Sequence, residues 1–457
     1  MTPNPTPNPT PNPTSSPRGR PPFPAYRSAP TVFWCEQAWL PGGIASGVRI
    51  DVAGGRITAV TADAPRTGTI LAGLTLPGFA NGHSHAFHRA LRGRTHHERG
   101  TFWTWRERMY ALAARLDPDT YYRLARGVYA EMVLGGYTSV GEFHYLHHAP
   151  GGKAYADPNA MGAALRQAAA DAGIRLTLLD TCYLAGGIGV EPDEVQRRFS
   201  DGSASAWASR VAELKEDELF RVGAAIHSVR AVPADQLSLV DSARVVHVHL
   251  SEQRAENEQC QAAYGRTPTE LLDDRGVLSE RLVAVHATHL TTSDIDRLSG
   301  ARACFCPTTE RDLGDGVGPA RALRDAGVRL SVGSDSNAVV DAFEETRALE
   351  LDDRLASEER GRFSAEELLE AGTDHAAIGW AEVGTLAEGA GADFVTVTLD
   401  SVRTAGIEPS GVVFAASGAD VRHVVVAGRE VVRDGGHLLV DRPETVLAKE
   451  IEALWQS

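Results

Sequence analysis

Four apolar runs in this chain end in histidine or aspartate, and that feature narrows the possible folds more than any other. Ile70–Leu76 reads as a strand and leads into Asn81-Gly82-His83-Ser84-His85. Arg244–Glu252 carries His247 and His249, with Glu252 three residues past His249; Leu282–His286 and Arg329–Asp335 complete the set. Alternate side chains of a strand share a face, so His83 and His85 are able to reach one metal ion together. Histidines and a carboxylate on strand ends form a borderline-metal ligand set that leaves a position open for water. Strand ends that converge in this way call for a parallel barrel, which keeps its chemistry at the carboxyl ends of its strands.

The rest of the middle region fills out that barrel. Tyr137–Tyr145, Arg175–Cys182, Arg221–Arg230 and Ala301–Pro307 read as further strands, with helical stretches such as Asn159–Ala172 and Thr267–Leu272 between them. Eight strands alternating with helices make an α/β protein of the (β/α)8 TIM-barrel type, here spanning residues 77–380. The flanks have a different texture. Residues 28–76 contain Thr31–Trp34, Gly47–Val52 and Arg56–Val60, and residues 381–457 contain Asp393–Leu399, Val421–Gly428 and Glu430–Arg433. Short strands with glycine turns predict a small β-sandwich assembled from both chain ends. Residues 1–27 repeat Thr-Pro-Asn-Pro and stay rich in proline, which predicts a disordered tail or the product of a mis-assigned start codon.

A net charge of −15 over 457 residues argues against nucleic acid or an anionic membrane as partner. No apolar stretch approaches the roughly 20 residues of a membrane span, so a soluble, cytoplasmic protein is expected. Cys35, Cys182, Cys260, Cys304 and Cys306 are scattered and odd in number, which predicts buried free thiols rather than disulfides.

Longer strings carry a resemblance. They are Asn81–Ala90, Phe102-Trp-Thr-Trp-Arg-Glu-Arg-Met-Tyr110, Gly141-Glu-Phe-His-Tyr-Leu-His-His148, His227-Ser-Val-Arg-Ala-Val232, His249-Leu-Ser-Glu-Gln253 and Cys306–Gly316. With the strand-end ligands, they resemble the amidohydrolase superfamily and its mononuclear deaminase branch. Within that branch the chain is similar to the iminohydrolases that act on N-formimino-L-glutamate in histidine degradation.

The resemblance implies one divalent metal, zinc first and iron or manganese next, held by His83, His85, His249 and Asp335. His247 shares the strand face of His249, and the Glu252 spacing together with the resemblance favours His249. Glu252 is then the proton shuttle, and His286 polarises the attacking water beside Asp335, with His289 as its rival. A dicarboxylate substrate needs cations and donors, for which Arg106, Tyr145, His227 and Arg230 are expected, with Arg311 ranked below them. His88 stands where the family often has glutamine, and is expected near the substrate. The implied reaction is hydrolytic deimination to N-formyl-L-glutamate and ammonia, in a homodimer. Two other readings remain: a deaminase of guanine, cytosine or s-triazine rings, and a non-catalytic barrel that serves as a binding module.

Overall fold

The structure, a computed structural model, describes residues 30–96 and 102–456. The expected tail, residues 1–27, lies outside the described residues. Strands β1 (Thr31–Leu40), β2 (Gly43–Ala53), β3 (Arg56–Thr61) and β4 (Thr69–Pro77) open the fold. The middle strands are β5 (Phe79–Ser84), β6 (Tyr137–His144), β7 (Arg175–Cys182), β8 (Phe220–Ile226), β9 (Val246–Leu250), β10 (Leu282–His286), β11 (Arg302–Phe305) and β12 (Arg329–Val332). The last are β13 (Phe394–Val397), β14 (Val421–Val426), β15 (Arg429–Arg433) and β16 (Gly436–His437).

Strands β5 to β12 pair in chain order and in parallel, as a (β/α)8 barrel requires. Every residue of β6, β7, β9 and β10 is buried, because a parallel sheet is covered on both faces. The covering helices are amphipathic. Pro118–Leu134 buries Tyr121, Leu124, Ala125 and Val128 along one stripe. It starts where Asp117 accepts the Thr120 N–H and Pro118 occupies the first turn.

The seam between β12 and β5 closes through a few specific bonds. Asp335 N–H donates to His83 O and His85 N–H donates to Asp335 O, each at 2.9 Å. Asn81 supports the same seam, donating to Ser334 Oγ at 2.7 Å and accepting the Ser334 N–H at 3.0 Å. Gly333 permits the approach, since a Cβ there would stand 2.6 Å from His83 N. The opposite end is plugged by the segment around His375–Trp380. Thr177 Oγ1 donates to Ile378 O at 2.6 Å and receives the Trp380 indole N–H at 2.9 Å.

The terminal strands join into one continuous eight-stranded sheet, ordered β16-β15-β14-β13-β4-β1-β2-β3. This is the module expected from both chain ends, and β13 lies antiparallel to β4 next to the entry into the barrel. The carboxyl-terminal helix Pro443–Gln456 packs on Pro118–Leu134, with Leu447 seated over Gly127. Its Trp455 indole donates to Ala90 O at 2.9 Å.

One sequence expectation is corrected. Ile70–Leu76 is not the strand that carries the histidine pair; it lies in β4 of the terminal sheet, and β5 is a separate strand that begins at Phe79. The break is at Gly78, where a Cβ would meet Thr138 Oγ1 at 2.3 Å. Asn81-Gly82 reads as a turn signal, so β5 was hidden by its own composition.

Candidate metal centre and substrate cleft

His83 ends the barrel strand β5 with Ser84, and His85 follows it directly. His249 lies on β9, His286 ends β10, and Asp335 follows β12. Their polar atoms converge: His83 Nε2 lies 3.2 Å from His249 Nε2 and 3.4 Å from Asp335 Oδ1, and His85 Nε2 lies 3.3 Å from the same oxygen. Ligand atoms about 2.0–2.1 Å from one tetrahedral ion would stand roughly 3.3–3.4 Å from each other. The donor set therefore fits a divalent ion in both spacing and chemistry. Ser251, His286, Ala287, Asp335 and Asn337 all take positive φ, between 40° and 67°. Non-glycine residues pay for that conformation, and such strain concentrates at functional sites.

Burial holds these histidines neutral, with lone pairs available. It drives His83 down to about 3 and holds His85 and His249 below the usual histidine range. Burial alone would raise Asp335, yet its contacts with His83, His286 and His85 hold it well below the usual carboxylate range. His85 donates Nδ1–H to Phe143 O at 2.9 Å, which fixes its tautomer and leaves Nε2 facing the centre. Phe143 also stacks on His249, with ring centroids 4.3 Å apart.

Above the centre opens a cleft of about 730 Å³, counting space open to solvent. His85, His88, Arg106, Tyr145, His227, Arg230, His249, Glu252, His286 and Asp335 all line it, while His83 lies fully buried beneath. Glu252, past the end of β9, places Oε1 3.9 Å from His286 Nε2. Arg106 enters from the helix Phe102–Ala113 and donates to Tyr110 Oη at 2.8 Å. Tyr145, just past β6, shares a 2.9 Å hydrogen bond with His88 Nε2. His227 and Arg230 come from the turn after β8.

The competing assignments fall away by position. His247 bonds Ala377 O at the barrel floor through Nε2, 2.8 Å away. His289 is absent from the cleft lining, and its backbone O accepts from Asn257 Nδ2 at 2.7 Å. Arg311 is held by Asp352 and Glu344 on the outside. All five cysteines are buried and free.

Three buried carboxylates escaped the sequence analysis. Glu310 accepts from His286 Nδ1 at 3.2 Å. Glu256 lies 3.9 Å from Arg230 Nε, and burial lifts it to about 7 against the pull of that arginine. Asp315 is lifted to about 8 by burial and by the charge of Glu252. Glu310 and Asp315 stand in the Cys306–Gly316 string that carries the resemblance, and Glu256 stands one helical turn beyond Glu252.

A parallel barrel with three histidines and an aspartate gathered at its mouth defines a metal-dependent hydrolase. The amidohydrolase family model matches residues 74–431, and the chain belongs to that family. Formimidoylglutamate deiminase from Pseudomonas aeruginosa is 38% identical over 434 residues, covering 89% of this chain and 96% of that protein. A 5-methylthioadenosine/S-adenosylhomocysteine deaminase from Haloarcula marismortui is 27% identical over 375 residues, 79% of this chain and 82% of its own. The crystal structure of an amidohydrolase from Brucella melitensis superposes with a TM-score of 0.85 at 33% identity, covering 93% of this chain and all of that one. Atrazine chlorohydrolase from Arthrobacter aurescens, crystallised with zinc, shares the fold at 24% identity with a TM-score of 0.81, covering 93% of this chain and 99% of its own.

Proposed function

We propose that the protein hydrolyses N-formimino-L-glutamate to N-formyl-L-glutamate and ammonia. The observation that carries this reading is a cleft in which Arg106 and Arg230 stand beside the histidine–aspartate centre of a protein with net charge −15. Cations kept in an acidic protein suit an anionic substrate. The strong similarity to formimidoylglutamate deiminase supports the same substrate. The 5-methylthioadenosine/S-adenosylhomocysteine deaminase is less similar, and guanine, cytosine or an s-triazine offers no carboxylate to two guanidinium groups.

His83, His85, His249 and Asp335 would hold the ion, with zinc the best match to a mixed nitrogen and oxygen set and iron or manganese compatible. When bound, such an ion acts as a Lewis acid and lowers the pKa of water from 15.7 toward about 7. His286 orients the attacking water through Nε2. Glu252 takes the water's proton as oxygen bonds to the formimino carbon, and delivers it to the imine nitrogen. Glu252 then carries the proton of the new hydroxyl to the same nitrogen, the carbon–nitrogen bond breaks to release ammonia, and the oxygen is left as the formyl carbonyl. Arg106, Arg230, Tyr145, His227 and His88 hold the two carboxylates and thereby the formimino end. With this function go a cytoplasmic place in histidine degradation and a homodimer, the latter checked by sedimentation.

The deciding experiment is ammonia release from N-formimino-L-glutamate, N-formimino-L-aspartate and guanine by protein of known metal content. The glutamate compound should have the highest kcat/KM. Preferential turnover of guanine would overturn the assignment.

A further inference from the structure

Glu310 sits behind His286, outside the set of groups that face substrate. We propose that Glu310 is a positioning residue that fixes His286 as the tautomer with its proton on Nδ1, turning Nε2 to the reacting centre. The inference deepens the function proposed above and rests on it only where turnover is measured.

The geometry argues for it on both sides of the ring. Glu310 Oε1 lies 3.2 Å from His286 Nδ1 and also accepts the Cys306 N–H at 2.8 Å. Burial raises the Glu310 carboxyl against the pull of His286; in its ionised form it only accepts hydrogen bonds, and Nδ1 then carries the hydrogen. Nε2 is then the nitrogen left for water, and it stands 3.9 Å from Glu252 Oε1 and 3.8 Å from Asp335 Oδ2. The ring is thus held between a buried anchor and the two carboxylates of the reaction. Its backbone has φ of 67°, so the residue is held where few side chains settle unaided.

The anchor is itself held in place. Glu310 belongs to the short helix Pro307–Leu313, whose start is tied in two directions. Thr308 N–H donates to the fully buried Glu345 at 3.1 Å, and the Thr308 hydroxyl donates to the same carboxylate. Thr309 Oγ1 accepts the Ser336 N–H at 3.2 Å, which fastens the helix to the turn bearing Asp335. The placement of Glu310 is therefore slaved to the same turn that positions a metal ligand.

A rival account makes Glu310 a helix cap, because its Oε1 satisfies the N–H of Cys306, the residue before the helix. A double-mutant cycle on the metal-loaded enzyme separates the two. Glu310→Gln keeps the shape and loses the charge, and loss of a carboxylate that orients a histidine typically costs about 10- to 100-fold. We expect kcat to fall on that order, with KM and metal content little changed. In a His286→Ala background the same substitution should cost less than about twofold, because the ring through which it acts is gone. Equal losses in both backgrounds would assign Glu310 to the cap and overturn the proposal.

A second measurement depends neither on the folding of Glu310→Gln nor on a correct substrate. Long-range ¹H–¹⁵N spectra of the wild-type enzyme labelled with ¹⁵N-histidine, with His286 assigned by its loss in His286→Ala, report the tautomer directly. The proton should sit on Nδ1. A proton on Nε2 with a bare Nδ1 would overturn the proposal. Failure of the wild type to release ammonia from N-formimino-L-glutamate, with Nδ1 protonated, would overturn only the function above.

Discussion

Replacing Arg230 with methionine separates a substrate-reading guanidinium from a supporting one. The Arg230 side chain is about one-fifth exposed (20%) and lines the cleft, so a carboxylate that meets it is largely desolvated. Breaking a desolvated charge pair costs about 2–5 kcal/mol, or roughly 30- to 5,000-fold in kcat/KM. The protein's own response is buffered, because Glu256, its neighbour at 3.9 Å, already sits near 7 and takes up a proton once the arginine is gone. The assay compares kcat/KM of wild type and Arg230→Met on N-formimino-L-glutamate and on its two mono-amides. The diacid and one mono-amide should suffer the full loss. The mono-amide lacking the paired carboxylate should lose far less, since nothing is left unmatched. Equal losses on all three compounds would refute the reasoning and make Arg230 a partner of Glu256 alone.

His83→Ala and Asp335→Ala each remove one ligand from a set that fits an ion only together; metal content by elemental analysis and ammonia release should both collapse while the circular dichroism stays native. Glu252→Gln keeps the metal but cannot carry a proton, so kcat should fall about 10²–10⁴-fold in steady-state assays. Glu142 offers a pH test: burial raises it from the ordinary 4.5 to about 8, so the folded state keeps a proton that the unfolded chain releases. Its contribution to stability is complete below pH 4.5 and is lost as pH rises to about 8. Glu142→Gln has no such loss, so its melting temperature relative to wild type should climb between pH 5 and 8 in scanning calorimetry.

The centre was legible because its chemistry sits at strand ends, where residue type and position are read together. His249, Glu252, His286 and Asp335 follow from apolar runs that stop at a polar residue, whereas His83 and His85 stood out by their own spacing after a run that belongs to another strand. Two of the three hidden carboxylates, Glu256 and Glu310, lie on helices whose sequence reads as solvated. Arg254–Tyr264 has no large aliphatic residue, yet Glu256 and Cys260 face inward. Glu310 stands in a Glu-Arg-Asp run whose arginine does point outward, and only the placement of that helix against β10 shows which carboxylate turns toward His286. Strand β5 was obscured for the reverse reason. Its Asn81 and Gly82 are turn formers by habit, and here they serve barrel closure instead.

That closure has a consequence for assembly. His83 and Asp335 come from the first and last strands, so an ion shared between them would clasp a ring whose ends are about 250 residues apart along the chain, where joining ends carries a real entropic cost. The ion would then be a fastener as much as a reagent. In chelated protein the His85 and Asp335 amides that lace the seam should exchange with solvent ahead of those between β7 and β8. A cell short of the metal would lose the ring's clasp along with its catalyst.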